Sequence, residues 1–459
     1  MAFTESPDSA AARRYRWPFV GLLVVAGLLQ LALFAYATAP GLAGTGDSRY
    51  YLHAARTLRE TGHLLNPDGT PYRYWPPLFP LLLSACNSLA GVRVLHGACL
   101  LGSLLLWSWL GRQLLPARRI MVLPALMALG TPWLLVSKFV WAESVFLLLF
   151  AAYAVALWQW QRTVRWQWWG VLTAVGVLLP LQRTLGLFLL AGVGAGLLVS
   201  GGHRLWARGR GVLFLHLLIS GTSGVLWQWY ALLVAGPSRY HPSRGWGQLL
   251  SSAADYGFVL ARWLLPLPVS GRVLLPAFAW AAGLLVLGGL LWPRRSAAKA
   301  ETTATYAAAA ISEAAPMAAS LHSALAFPRS RAIADSQIQL MLKTLWSASV
   351  ALVVLVAGLT VFAQSAAGIH DAERYASVLF APVVLLVLAA WPAQAPRWLG
   401  AGLVAVWLLG AAVRVGHVAQ DLRRVPPLPV AAHSAVQSRT GKGSEQRASS
   451  VAIVSPNCG

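Results

Sequence analysis

Acidic side chains are scarce in this sequence. Its 459 residues include only 14 Asp and Glu against 36 Lys and Arg, and charged residues make up 11% of the chain. A soluble globular domain has about 25% charged residues, so an ordinary soluble protein is excluded. The scarcity also narrows the search for catalytic acids. An unpaired acid near a bilayer is energetically costly, so each such acid needs a structural or functional explanation.

Cysteine is rare as well. Cys86 and Cys99 lie in apolar surroundings, and Cys458 lies in a polar C-terminal segment. We therefore expect neither a disulfide framework nor a cysteine-based metal site. The ten histidines show no metal-ligand spacing, which favours scattered interfacial or core imidazoles.

Apolar residues are abundant, at 57% of the chain, and they form repeated runs of membrane-spanning length. Such runs predict a polytopic, all-α membrane protein. The net charge of +22 would suggest a nucleic-acid partner in a soluble protein. Here the basic residues cluster at the ends of apolar runs, as topology signals do, so we expect no nucleic acid. Several of the 22 tryptophans lie at the same ends, as interfacial anchors do.

We predict about eleven transmembrane helices. Arg13, Arg14 and Arg16 precede a first apolar run that is longer than the apolar region of a signal peptide, so we expect a retained first span. Residues 77–90 are shorter and follow a proline pair, which favours a juxtamembrane helix. The predicted spans are 18–38, 93–114, 119–137, 141–160, 166–181, 184–200, 211–235, 273–292, 345–364, 376–391 and 397–415.

The arginine clusters predict the orientation of these spans. With a cytoplasmic N-terminus, most clusters fall in cytoplasmic turns. Four stretches are then exterior: 39–92, the turn 137–141, 236–272 and 364–375. The predicted organisation is an N-terminus (1–17), a transmembrane core with an exterior catalytic loop at 39–92 (18–235), an exterior loop (236–272), a helix (273–292), a cytoplasmic polar loop (293–344), C-terminal helices (345–417) and a polar tail (418–459).

The first exterior loop contains an amphipathic helix. From Asp47, the apolar and aromatic residues fall at i+3, i+4, i+7, i+8 and i+11, and Gly62 offers a C-terminal stop. Asp47 opens this helix, where its carboxylate can face the space above the bilayer. An N-cap is the simpler interpretation of Asp47, and it is compatible with a role as a base. The residues of this stripe are Tyr50, Tyr51, Ala54, Ala55 and Leu58.

Other charged residues lie at the predicted exterior ends of spans. Glu143 is either an interfacial acid in a first helical turn or a partner that orients the acceptor, a metal or Asp47. Arg183 is a positive charge on the exterior side, which runs against the tendency of basic residues to be cytoplasmic, so we expect it to have an anionic partner. That partner is a phosphate, a lipid headgroup or Glu143.

A late exterior segment adds another candidate phosphate ligand. Arg374, which is followed by Tyr375 and a proline-bearing span, is a candidate to bind phosphate. The alternative is that Arg374 simply forms ion pairs with Asp371 and Glu373. Lys138 is a third candidate cation.

Together these elements resemble the GT-C superfamily of membrane glycosyltransferases. The resemblance is to the branch with protein O-mannosyltransferases, lipid A aminoarabinose transferases and rhizobial lipopolysaccharide glycosyltransferases. It covers roughly 18–200 and, locally, 364–392. The elements that match the family pattern are Asp47, Tyr50-Tyr51 with Ala54-Ala55, Trp75-Pro76-Pro77-Leu78, Glu143, the turn from Arg183 to Gly186, and Arg374-Tyr375.

The resemblance implies inverting transfer of a sugar from a polyprenyl-phosphate donor on the exterior, periplasmic face of the plasma (inner) membrane. The acceptor would be a glycan, a lipid such as lipopolysaccharide, or a protein. Asp47 would be the base, Arg183 and Arg374 would bind the donor phosphate, and Tyr50, Tyr51, Trp75 and Tyr375 would frame the pocket. Family members often have two adjacent acids in this loop, whereas Ser48 follows Asp47 here, so no cofactor is certain and a divalent metal is an open possibility.

Three alternatives remain. A transporter or lipid flippase would also have many spans, although no pair of broken helices repeats across two halves. A different exterior transferase, such as an acyl- or phosphoethanolamine-type enzyme, would need a histidine-centred or a threonine-nucleophile, metal-ligating arrangement, which the sequence does not suggest. A non-enzymatic subunit would leave four exterior charged residues without a purpose, namely Asp47, Glu143, Arg183 and Arg374.

Overall fold

The computed structural model describes residues 7–73, 75–200, 203–235, 255–260, 262–264, 336–354, 369–391 and 397–429. The predicted span 273–292, most of the loops 236–272 and 293–344, and the tail beyond 429 lie outside the described residues. In the described part, the chain is helical, with two isolated backbone bridges and no strand. The predicted all-α class is confirmed.

Fifteen helices are labelled here in chain order. They are α1 (Pro7–Ala37), α2 (Gly46–Thr61), α3 (Leu78–Ala85), α4 (Leu89–Leu114), α5 (Ala117–Ile120), α6 (Leu123–Ala128), α7 (Thr131–Lys138), α8 (Glu143–Thr163), α9 (Trp166–Gln182), α10 (Leu185–Ser200), α11 (His203–Ala235), α12 (Ser336–Val354), α13 (Ile369–Ala376), α14 (Phe380–Ala390) and α15 (Arg397–Arg424). A short 3-10 helix, Ser377–Leu379, joins α13 to α14.

Eight segments of the described chain are long and apolar enough to cross a membrane. Seven of the predicted spans overlap α1, α4, α8, α11, α12, α14 and α15, and an eighth is divided among the short helices α5, α6 and α7. Two others form α9 and α10, with 17 and 16 residues. The chain is therefore a multi-pass membrane protein, but the count of eleven spans is not confirmed.

Two helices extend beyond their predicted limits. Helix α12 already includes Ser336, before the predicted start of its span at residue 345, and its Leu340 and Met341 are buried in the core. Helix α15 runs to Arg424, beyond the predicted tail boundary, with Val415 and Leu422 buried along one face. The apolar face of each helix thus reaches into a stretch that looked polar in sequence.

Helix α2 forms as its apolar spacing predicts. Tyr51, Ala54 and Ala55 are buried, and Gly62, with a φ of +76°, ends the helix in the left-handed conformation that suits glycine. Thr45 is the N-cap, and its backbone N–H donates to Ser48 Oγ at 3.0 Å. The prediction of Asp47 as the N-cap was therefore wrong: Asp47 lies inside the first turn of α2, and Thr45 is the capping residue.

Helix α3 and the residues before it cover α2. Tyr51 packs edge-on against Trp75 and Phe79, with ring centroids 5.4 Å and 5.0 Å apart. Eight residues of helix rise only about 12 Å, too little to cross a bilayer. The predicted juxtamembrane placement of this segment therefore fits its length.

Candidate active site

Four charged residues from four separate parts of the chain meet beside the start of α2. Nη2 of Arg374 lies 2.8 Å from Oδ2 of Asp47. Nε of the same guanidinium pairs with Oε1 of Glu143, and Nη1 of Arg183 pairs with that same oxygen. Two carboxylates and two guanidiniums thus balance one another in a single cluster.

Burial differs sharply within this cluster. The side chains of Glu143 and Arg374 are 1% and 5% exposed, and that of Arg183 is 14% exposed. The Asp47 side chain is 28% exposed. Burial lowers the pKa of Arg183, the adjacent Glu143 carboxylate raises it, and with the smaller contributions of the neighbouring groups the net shift of this pKa is upward. Asp47 is the member that a substrate can reach.

Helix ends bring the cluster together. Asp47 and Glu143 lie in the first turns of α2 and α8, where the helix dipole favours an acid. Arg183 directly follows α9, and the preceding Gln182 donates its Nε2–H to the carbonyl oxygen of Ala142 at 2.8 Å. This bond ties the end of α9 to the start of α8 and so places Arg183 beside Glu143.

The loop before α2 is joined to the segment after α7. The N–H of Ala43 donates to Lys138 O at 2.9 Å, and the N–H of Val140 donates to Ala43 O at 3.0 Å. Ser48 Oγ also donates to Val140 O at 3.0 Å. These bonds fix the start of the Asp47 helix against the residues that lead into Glu143.

Trp141 also belongs to the site, which its position in the sequence did not predict. The Arg374 guanidinium lies 4.2 Å from the centroid of its ring, within cation–π range. Its indole Nε1–H donates to Thr45 Oγ1 at 2.9 Å. Trp141 therefore connects the N-cap of α2 to Arg374. Its place two residues before Glu143 was the available signal, but tryptophans at span ends are common here and are ordinarily read as interfacial anchors.

The predicted tyrosines take different positions. The Tyr375 ring lies 5.3 Å from the Arg183 guanidinium and 5.6 Å from that of Arg374. Tyr51 is 1% exposed, and burial raises the pKa of its phenol. Tyr50 is partly buried and packs on Trp75, with ring centroids 5.3 Å apart. Of these rings, that of Tyr375 thus contacts both guanidiniums of the cluster.

Lys138 is held by backbone rather than by the carboxylates of the cluster. Its Nζ donates to Ala37 O at 3.0 Å and to Gly41 O at 2.9 Å. These bonds secure the turn between α1 and α2.

The alternative that Glu373 pairs with Arg374 was wrong. The two side chains leave α13 in different directions: Glu373 pairs with Arg262 and accepts a hydrogen bond from Thr131 Oγ1 at 3.2 Å. The side chain of Asp371 lies outside the described residues.

The described residues offer a poor ligand set for a metal ion. No group of three or more His, Cys, Asp or Glu among them could hold one. The two carboxylates of the cluster are already paired with Arg374, which occupies the position of a counter-cation. These residues do not fit a divalent metal.

No protein-family model matches the chain, and no curated protein matches it in sequence. Among solved structures, the chain is similar to the crystal structure of ArnT from Cupriavidus metallidurans in the apo state. The TM-score is 0.51 at 13% sequence identity, and the match covers 92% of this chain and 77% of that one. The fold is therefore similar to that of this ArnT. The GT-C family and its branch stay predictions from the sequence resemblance.

Proposed function

We propose that this protein is an integral-membrane glycosyltransferase that moves a sugar from a polyprenyl-phosphate donor to an acceptor, with inversion at the anomeric carbon. The observation that carries the proposal is Arg374, which joins the partly exposed carboxylate of Asp47 to the buried carboxylate of Glu143. The similarity of the fold to that of ArnT supports the same class. The donor, the acceptor and the periplasmic face of the inner membrane come from the family resemblance.

Asp47 is the general base in this proposal. Its carboxylate is the accessible acid of the cluster, within reach of an acceptor that approaches from above the bilayer. The acceptor oxygen attacks the anomeric carbon, and its proton passes to Asp47. The bond from the anomeric carbon to the phosphate oxygen breaks, and its electron pair leaves with the polyprenyl phosphate.

Arg374 and Arg183 stabilise the charge that develops on the departing phosphate. A guanidinium carries five N–H donors in a fixed fork, so donors remain beyond those used on the carboxylates. Glu143 is the orienting acid, because its Oε1 receives both guanidiniums in a buried position where they need no rearrangement during the reaction. Lys138 stays the weaker third candidate for the phosphate.

The pocket walls and the bilayer complete the proposed site. Tyr50, Tyr51, Trp75 and Tyr375 frame the sugar, and the lipid phase holds the prenyl tail of the donor. The acceptor is a glycan, a lipid such as lipopolysaccharide, or a protein of the cell envelope.

A reconstituted transfer assay tests this proposal. Purified protein is incubated with a panel of radiolabelled polyprenyl-phosphate sugars and a membrane extract as the source of acceptors, with and without EDTA. Wild type is compared with Asp47→Asn and with Asp68→Asn, a matched change in the same loop. Asp68 is exposed and accepts from Thr70 through Oδ1, which asparagine retains.

We expect wild type and Asp68→Asn to transfer label to an acceptor at similar rates. Asp47→Asn should transfer at least about 100-fold less, which is in the range of general-base effects. Transfer by wild type should be the same with and without EDTA. Full activity in a folded Asp47→Asn protein would remove Asp47 from the mechanism. Lack of transfer from every donor by folded wild type would overturn the transferase proposal and favour the flippase.

A further inference from the structure

The loop that leads into α2 lies between two other segments of the chain. On one side, Ala43 exchanges backbone hydrogen bonds with residues 138–140. On the other side, the N–H of Leu428 donates to Leu42 O at 2.8 Å. We call residues 41–46 the Asp47 loop and residues 425–429, which follow α15, the C-terminal strap. The Asp47 loop is thus bonded on both edges.

The Asp47 loop is shaped to receive this strap. A Cβ at Gly41, which has a φ of +121°, would lie 2.9 Å from Pro427 Cβ. A Cβ at Gly44 would overlap the side chain of Leu428. Leu428 also packs against the apolar cluster that contains Leu42 and Tyr51. Glycine at these two positions lets the strap approach the loop backbone closely.

The sequence of the strap favours this extended, docked conformation. Residues 426–429 read Pro-Pro-Leu-Pro, so Leu428 has the one backbone N–H of the four, and that N–H is the one bonded to Leu42. The prolines also prevent α15 from continuing past Arg424. The end of α15 is itself anchored, since the Arg423 guanidinium lies 4.6 Å from the ring centroid of Tyr36 at the end of α1.

We infer that the C-terminal strap, through Leu428, is a positioning element for Asp47. The inference rests on the proposed function for its catalytic meaning. Residues 138–141 hold one edge of the Asp47 loop, and Leu428 holds the other. Together they keep the Asp47 carboxylate at Arg374. A displacement of about 1 Å in a reacting group can reduce a rate by about 100-fold, so a partial loosening of one edge has a measurable effect.

The test uses point variants of the full chain. Leu428→Ala removes the side chain, Leu428→Pro also removes the N–H, and Leu428→Met preserves both size and donor. Pro426→Ala is the matched control, because Pro426 is an exposed residue of the same strap. Two quantities are measured: kcat and KM for sugar transfer, and amide hydrogen exchange of Ala43 relative to that of the helix α8.

We expect Leu428→Ala and Leu428→Pro to lower kcat about tenfold with KM changed less than twofold, as loosened geometry predicts. Exchange at Ala43 should rise about tenfold, while α8 stays protected. Leu428→Met and Pro426→Ala should match wild type in both readouts. The kcat change and the local exchange together separate positioning from a general loss of stability.

Three other outcomes are decisive. Unchanged kcat in an active Leu428→Pro protein would overturn the inference, and so would a lower kcat with unchanged exchange at Ala43. If exchange at Ala43 rises but wild type transfers no sugar from any donor, the proposed function fails while the hold of the strap on the loop is supported.

Discussion

Arg374 presents Nη2 to Oδ2 of Asp47 at 2.8 Å and lies with its guanidinium 4.2 Å from the ring centroid of Trp141. Its Nε pairs with Oε1 of Glu143. One planar guanidinium therefore fixes a partly exposed acid with respect to a buried one.

Arg374→Lys should nearly abolish transfer. An ammonium is a point charge without the planar fork, so it cannot serve both carboxylates and the indole ring at once. We expect kcat to fall at least about 100-fold, comparable to the loss of a preorganised donor at an oxyanion. Steady-state kinetics measure this. Arg162→Lys is the control, because Arg162 is exposed at the opposite end of α8 from Glu143 and makes its cation–π contact with Trp158; equal losses in the two variants would contradict the assignment.

Glu143→Gln should destabilise the fold, whereas Asp47→Asn should not. Glutamine preserves the shape but leaves Arg183 and Arg374 without their shared buried counter-charge. Breaking a buried ion pair from one side costs about 3–5 kcal/mol. The thermal midpoint in detergent should fall by several degrees in Glu143→Gln and remain near wild type in Asp47→Asn. The reverse order would show that Glu143 is not the anchor of the cluster.

Trp141 should contribute through both its ring face and its indole N–H. Trp141→Phe retains a ring for Arg374 but loses the bond to Thr45, so we expect kcat to fall a few-fold. Trp141→Ala loses both contacts, and we expect kcat to fall about tenfold or more. A cation–π contact is worth about 0.5–2 kcal/mol, and the lost hydrogen bond adds to that. Relative kcat values decide. If the two variants are equal, the ring face contributes nothing.

Tyr51 should not exchange protons in catalysis. Burial raises the pKa of its phenol above the ordinary value of 10, so the group stays neutral below that pH and loses its proton only above it. Tyr51→Phe should retain at least about half of the wild-type kcat, with any alkaline limb of the pH–rate profile unmoved. A lost or shifted alkaline limb in Tyr51→Phe would instead make Tyr51 an acid of the reaction.

Periodicity gave a sound account of individual helices. The stripe from Asp47 to Leu58 predicted α2, its buried face and its stop at Gly62, because these depend on spacing within one helix. The N-cap was missed, since Thr and Asp are both favoured caps and only the backbone conformation distinguishes them. The limits of α12 and α15 were missed for a similar reason: sparse apolar residues mark a buried face only when a partner is present.

The sequence by itself determined a helical membrane protein with a few charged residues at the ends of its spans. Composition and run length suffice for that, because the bilayer accepts apolar helices and penalises unpaired charge. Only the tertiary structure decided which charges meet. The pairing of Arg374 with Asp47 and Glu143, the exclusion of Glu373, the place of Trp141 and the docking of Leu428 all join distant segments. Such contacts depend on helix packing, which no local pattern encodes.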